Sequence, residues 1–317
     1  MKLFDLIFSL PELKNQPPVL IDIGASEKIN PKWKSIAKYS ICVAFDGDTR
    51  DFSIDENSNS GFLKKFVFNT LVVENNEPST KFYLTKNPYC SSTLKPSQDA
   101  LNVWSFSEKF IIEKEIMLNS TSLSSALAKI NINYIDWFKS DSQGIDLRIF
   151  NSLESRINKN IIVAEFEPGF IDAYFGEDKL YTLLQSMENN NFWISAAEIK
   201  GSSRITQCQI DSLTKSKFHQ KIISFSQSIN PGWIELTYFN SFENISTKRE
   251  LLLGWVFATI EKQYGFAHKL AEIGFEKYSE DIFLKMKRHS SFKIKYSVLN
   301  KNLLNAIILK INNLFSK

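Results

Sequence analysis

Apolar residues in this chain alternate between short unbroken runs and helical spacings. "VLIDI" (19–23), "SICVAF" (40–45) and "NIIVAEFEP" (160–168) are nearly continuous apolar stretches, the pattern of strands covered on both faces. Between the first two, Asn30-Pro31 predicts a helix with Asn30 as N-cap and Pro31 at its first position, carrying Trp33, Ile36 and Ala37 on one side. Strand, helix, strand at that spacing is a right-handed βαβ unit. Further strands are predicted at 62–73, 81–85, 110–119, 133–141, 191–199 and 232–239. Helices are predicted from a Thr121 or Ser122 cap to Ile130, over Ile145–Ile157, and over Asp178–Met187.

This alternation across 19–240 predicts an α/β domain, a Rossmann-like doubly wound and mostly parallel sheet. Residues 1–18 read as a short helix and a stiff Pro17-Pro18 linker ahead of it. Residues 241–317 read as a helical extension, with helices at 248–263, 265–275, 278–288 and near 296–316. In the last of these, Leu304, Ile307, Ile311 and Leu314 share one face. That face would pack on the core or on a second copy in a homodimer, or lie on a membrane surface.

Composition narrows the class. The 317 residues are 43% hydrophobic and include 26 Phe, ample for a large core. With 38 Lys and Arg against 35 Asp and Glu, the net charge of +3 makes no electrostatic case for nucleic acid. Cys42, Cys90 and Cys208 are too scattered for a disulfide framework or a zinc site, so a reducing, cytoplasmic setting is expected. No run approaches the ~18 apolar residues of a transmembrane segment, and the N-terminus lacks a signal-peptide pattern.

In an open α/β sheet, ligands sit beyond the carboxyl ends of the strands. Those ends here are Asp22–Gly24, Asp46–Asp48, Ser140–Gly144 and Glu165–Pro168, and each carries acid. A phosphate site calls for backbone amides and cations instead. The first turn, "DIGA", has Gly24 but not the second and third glycines that a pyrophosphate needs. Asp46, about 20 residues past that turn, stands where a carboxylate holds a ribose diol. A cofactor with hydroxyls, an ammonium and a positive centre but no phosphate suits this crevice, and S-adenosylmethionine is one.

Asp141 is the candidate general base; its other readings are a cap on the next helix or a partner for the adenosine amine. Glu165 and Glu167, two apart on a strand, are expected to point the same way. With Asp141 they could hold a divalent ion, although one structural and one substrate-facing acid is the more ordinary arrangement, and no metal is assigned. His219, His268 and His289 fall outside these blocks.

The blocks "VLIDIGAS", "VAFDGD", "IDWFKSDSQGIDLRIFNSL" and "VAEFEPGFIDAYFGEDKLYTLL" resemble, in order and spacing, the FkbM family of S-adenosylmethionine-dependent methyltransferases over residues 19–200. The third block carries Asp141, Gln143 and Gly144 in place, and Ser91-Ser92 is similar to the family's mid-chain serine pair. Two positions depart from the pattern. Glu27, Lys28 and Ile29 stand where another glycine is usual, and Ser140 stands where an apolar residue is usual. The resemblance implies a class I methyltransferase that methylates a hydroxyl of a surface-glycan sugar or a secondary metabolite. Asp22, Gly24, Ala25, Ser26, Asp46, Gly47 and Ser92 would hold the cofactor, and Gln143, Glu165 and Glu167 the acceptor. The alternative is a degenerate binding or scaffold protein whose crevice is filled by side chains such as Lys28 or Trp33.

Overall fold

In the computed structural model, which describes residues 3–25, 30–48, 50, 61–243, 247–297 and 308, the first two apolar runs lie side by side. They are the parallel strands β1 (Val19–Ile23) and β2 (Ile41–Phe45), with Ile21 opposite Val43. Asn30 caps the segment between them as expected, its side chain accepting from the Lys32 amide. That segment is not an α-helix but two 3₁₀ turns, Pro31–Ser35 and Ala37–Tyr39.

The remaining strands are β3 (Lys64–Phe68), β4 (Leu71–Val73), β5 (Ser79–Thr85), β6 (Ile112–Ser122), β7 (Trp137–Ser140), β8 (Val163–Phe166), β9 (Phe192–Ser202) and β10 (Asn230–Asn240). Seven of them form one sheet in the order β3-β2-β1-β7-β8-β10-β9. The first five run parallel, and β10 runs antiparallel to both β8 and β9. The protein is thus an α/β fold built on a mostly parallel sheet flanked by helices. The expected strand at 62–73 breaks at Asn69-Thr70. Its second half, β4, joins β6 and β5 in a separate three-stranded sheet.

The helices in chain order are α1 (Leu3–Phe8), α2 (Pro11–Asn15), α3 (Gln98–Leu101), α4 (Leu123–Lys129), α5 (Asp146–Asn151), α6 (Ser155–Asn158), α7 (Leu180–Asn189), α8 (Gln207–Leu213), α9 (Lys217–Ser226), α10 (Lys248–Ile260), α11 (Tyr264–Tyr278) and α12 (Asp281–Ser297). Ser122 is the cap of α4. The expected helix over 145–157 is two short ones, α5 and α6. The polar stretch between β9 and β10, for which no helix is predicted, contains α8 and α9, and Thr206 and Gln209 form a capping box at the start of α8. The last expected helix, near 296–316, lies almost wholly outside the described residues.

Residues 18–242 form one compact unit, and 1–17 together with 243–317 form another. The N-terminal helices thus belong with the C-terminal ones. Within that second unit α10 is buried along most of its length, and Trp255 Nε1 donates to Ser290 Oγ at 2.8 Å. Arg249 is buried there and its Nε donates to the Gln16 carbonyl at 3.0 Å. Among the described residues no helix is long and apolar enough to cross a membrane.

The two faces of the large sheet differ. One presents Ile21, Val43, Phe138 and Phe166 to a continuous apolar core with α4, α5 and α7. The other carries a polar row in which Asp22 is fully buried and Lys139 and Glu165 are partly so. Asp22, Lys139 and Glu165 are neighbours in register on β1, β7 and β8, and period-two alternation places them on the same side. Lys139 Nζ donates to Asp22 Oδ1 at 2.7 Å, and Asp22 is fully buried. Burial alone would lower the Lys139 pKa, but Asp22 and then Asp141 outweigh it and hold the ammonium well above its ordinary value.

Asn30 and Lys32, which follow β1 in the chain, bond to this row. The Asn30 amide donates to Asp22 Oδ2 at 3.2 Å. Asn30 Nδ2 and Lys32 Nζ each donate to Glu165 at 3.1 Å, and Trp137 Nε1 donates to it at 2.6 Å. Removing one member of a buried pair strands the other charge, at a cost of about 3–5 kcal/mol. Lys139→Met is therefore expected to lower the melting temperature markedly in circular dichroism. The double variant Asp22→Asn with Lys139→Met should regain most of the loss. An unchanged melting temperature in the single variant would remove the row from the account of stability.

Candidate active site

Two clefts open at the carboxyl end of the parallel strands, and they share the wall that carries Asp141 and Gln143. The first, about 740 Å³ including its mouth, runs from Gly24 past Asp46, Gly47 and Asp48 to Leu71, Val72 and Phe82 of the small sheet. The second, about 1190 Å³, is bounded by Glu167, Tyr174 and Glu177 and by the aromatic rings of Phe106, Phe110 and Trp233. Both fall in or near the size range of small-molecule sites. No lysine or arginine lines the first cleft among the described residues.

Gly24 is glycine for two reasons. Its φ is +78°, a conformation that L side chains rarely adopt, and a Cβ there would lie 2.3 Å from the Asp141 carbonyl oxygen. The Gly24 and Ala25 amides donate to the Phe45 carbonyl at 3.0 and 3.1 Å. The tight turn thus packs β1's end directly against the Asp141 backbone, which needs one glycine rather than three. Gly47 has a similar constraint, since a Cβ would meet Leu71 Cδ2 at 2.6 Å.

Asp46 follows β2 and lines the first cleft, its Oδ1 accepting from the Asp48 amide at 2.8 Å. Burial, opposed by that bond but reinforced by Asp48 and Asp141, pushes its carboxyl up to about 6. Arg50 forks onto Asp48, with its Nη2 2.6 Å from Oδ2, and also donates to Ser91 Oγ at 2.7 Å.

The loop after β7 is clamped from below. Asp146, buried in the first turn of α5, accepts from Ser140 Oγ at 2.6 Å, the Ser142 amide at 2.7 Å and Ser142 Oγ at 2.5 Å. The hydroxyl at position 140 is thus a partner for Asp146. Above this clamp Gln143 has a φ of 59°, rare for a residue with a Cβ and frequent where backbone strain serves a site. Its Nε2 donates to Asp141 Oδ1 at 2.5 Å, and its Oε1 lies 2.9 Å from the Tyr174 hydroxyl. Asp141 therefore does not cap α5; it is held by Gln143 between the two clefts. Burial raises its carboxyl above the ordinary range, with Lys139 opposing. Burial and then Asp141 raise Glu167 further still, and burial lifts Glu177 to about 7.

Gly24, Asp46 and Gly47 line the first cleft, Glu167 the second, and Asp141 and Gln143 both. Asp22 and Ala25 are buried and line neither, Asp22 being held by Lys139 and Asn30. Ser92 is also buried, donating to the Gln143 carbonyl at 2.7 Å, and its neighbour Ser91 is the serine that reaches the cleft. Glu165 belongs to the polar row, held by Asn30, Lys32 and Trp137, and lines neither cleft, whereas Glu167 lines the second. Among the described residues no group of three His, Cys, Asp or Glu is placed to hold a metal ion. Ser26 and Lys28 lie outside the described residues. Trp33 is fully buried, 6.0 Å from the Trp137 ring, and lines neither cleft. His219 is exposed on α9. Tyr174, Glu177 and Trp233 are not predicted as site residues, because neither a loop residue nor an aromatic near a strand terminus has a periodicity that marks it as a cleft wall.

No family model, no curated protein and no solved structure matches the chain.

Asp46 generates a pH prediction. Its carboxyl titrates near 3.8 in the unfolded chain and about 6 in the folded one, so the folded state holds its proton more tightly. Its favourable contribution is present below about pH 4 and is lost as pH rises through about 6. Asp46→Asn, neutral at every pH, should melt higher than wild type at about pH 7.5 and alike at about pH 4. Equal melting temperatures at the higher pH would show that Asp46 is not held in its protonated form by the cleft.

Proposed function

We propose that the protein is an S-adenosylmethionine-dependent O-methyltransferase acting on a hydroxyl of a glycan sugar or small secondary metabolite in the cytoplasm. The observation that carries this reading is the meeting of two clefts at Asp141. One has a ribose-type carboxylate and, among the described residues, no lysine or arginine in its lining; the other is larger and walled by aromatics and acids. A two-substrate transfer needs two sites that share one wall, with the reacting groups brought together there. The strand order supports the same reading. Read along the large sheet by chain order it is 3-2-1-4-5-7-6 with the seventh strand reversed, an arrangement of the class I methyltransferase type.

The donor set of the first cleft fits the cofactor. Asp46 would take the ribose hydroxyls, with Leu71, Val72 and Phe82 offering apolar surface to the base. Asp46, Asp48 and Asp141 offset a positive centre. When bound, S-adenosylmethionine supplies an electrophilic methyl group. Asp141 would accept the proton of the acceptor hydroxyl, its raised carboxyl being closer to the working pH than an ordinary aspartate. Gln143, oriented by Tyr174, fixes the direction of that carboxylate. Glu167, kept protonated by burial, would donate a hydrogen bond to an acceptor oxygen. A degenerate scaffold is the weaker reading because Trp33, one of the side chains expected to fill its crevice, lies elsewhere.

Calorimetric titration with S-adenosylhomocysteine tests the cofactor site. Wild type should bind it, and Asp46→Ala should weaken binding by about tenfold to a hundredfold, the worth of a charge-assisted bond pair. No measurable binding by wild type up to about millimolar ligand would end the proposal. Asp141→Asn should leave that affinity nearly unchanged while cutting turnover by ~10²–10⁴-fold, the range of a lost general base. If affinity falls instead and turnover at saturating cofactor survives, Asp141 holds the cofactor and is not the base.

A further inference from the structure

The α8–α9 insertion leaves a basic-edged apolar face on the surface. In α9, Phe218, Ile222 and Phe225 recur at the spacing of one helix face. None of the ten residues of α9 is buried, and Phe218 and Phe225 are 70% and 93% exposed. Ile229, just beyond the helix, is 77% exposed. A soluble protein rarely leaves such a contiguous set uncovered, so the face has a partner.

Charge indicates which. Between Arg204 and Ile229 the insertion carries Arg204, Lys215, Lys217 and Lys221 against one acid, Asp211. No carboxylate pairs with any of the three lysines among the described residues. On the helix, Lys217 and Lys221 run along one edge of the apolar face, where long stems can lie on an apolar phase while the ammonium groups reach out of it. A short helix with exposed phenylalanines and a lysine edge is suited to an anionic lipid surface, which supplies both an apolar layer and negative headgroups. A second copy of this chain would bring like charges together at the same edge.

The position of the insertion adds to this. It leaves β9 at Ser202 and re-enters β10 at Asn230, and Gly201, Ser202, Gly232 and Trp233 at those junctions line the second cleft. We propose that the α8–α9 insertion is a membrane-docking element that seats on an anionic lipid surface through Phe218, Ile222 and Phe225, with Lys215, Lys217 and Lys221 on the headgroups. The second cleft then opens beside that surface. This inference goes beyond the methyl-transfer reading and its test does not involve activity.

Flotation of the full chain with vesicles is the test. Phosphatidylcholine vesicles with about a third phosphatidylglycerol should bind it roughly a hundredfold more tightly than phosphatidylcholine alone, about fivefold per lysine, and less so as salt rises. Phe218→Ser with Phe225→Ser should abolish flotation, and Lys217→Glu with Lys221→Glu should remove the preference for anionic lipid. Both pairs are exposed, so circular dichroism should show an unchanged fold. Absence of flotation, equal binding to both vesicles, or binding that survives the phenylalanine changes would each overturn the proposal. So would sedimentation showing a dimer that those changes disperse, since the face would then be a contact between copies.

Discussion

The candidate site depends on a pair of opposite charges buried in the middle of a parallel sheet. Lys139 and Asp22 stand side by side on adjacent strands, 2.7 Å apart. Neither charge is tolerable there alone, because desolvating an ion costs several kcal/mol. Their mutual satisfaction leaves Asp22 Oδ2 available to the Asn30 amide, and Glu165 next in the row takes Asn30 and Lys32. A polar row that sequence reading assigns to ligands is therefore what holds the end of the first loop. The clefts are lined by Gly24, Asp141 and Glu167, two residues further along β1, β7 and β8.

That two-residue offset explains the division of labour among the acids. Asp22 and Glu165 lie within the strands, where alternation turns them to the face opposite the main apolar core. Gly24, Asp46, Asp141 and Glu167 lie just past the strand ends, where the clefts open. Their environments differ accordingly. The strand acids are matched by cations, whereas burial raises the carboxyls of Asp46, Asp141 and Glu167 without a full set of partners. Carboxyls held out of their ordinary range at the junction of two clefts are the pattern expected of functional groups.

Asp141 has support from three directions. Its backbone amide donates to the Ile23 carbonyl at 3.0 Å, its carbonyl is crowded by Gly24, and its carboxylate accepts from Gln143. Asp146 then ties the following loop to the start of α5. A group placed this firmly loses little freedom when a substrate arrives, which is how a scaffold contributes to rate without contacting the reacting atoms. The inserted sheet β4-β6-β5 and the β9–β10 hairpin supply the outer walls, so each cleft is completed by a segment remote in sequence from the strand ends.

The sequence by itself determined the strands whose apolar runs are unbroken, the acids at their ends, the Asn30 cap, and a second cap at Thr121 or Ser122. These depend on interactions within a few residues. The turn at Gly24 was legible too, because a left-handed φ calls for glycine. Which acid faces a cleft was decided only in the folded sheet. Asp22 and Asp46 look alike along the chain, and only the register of β1 against β7 sets Lys139 beside the first and not the second. Tertiary contact likewise split 62–73 between two sheets, placed Ser92 under Gln143, and joined residues 1–17 to the C-terminal helices. Such pairings link residues far apart in sequence, and short-range periodicity carries no record of partners at that separation.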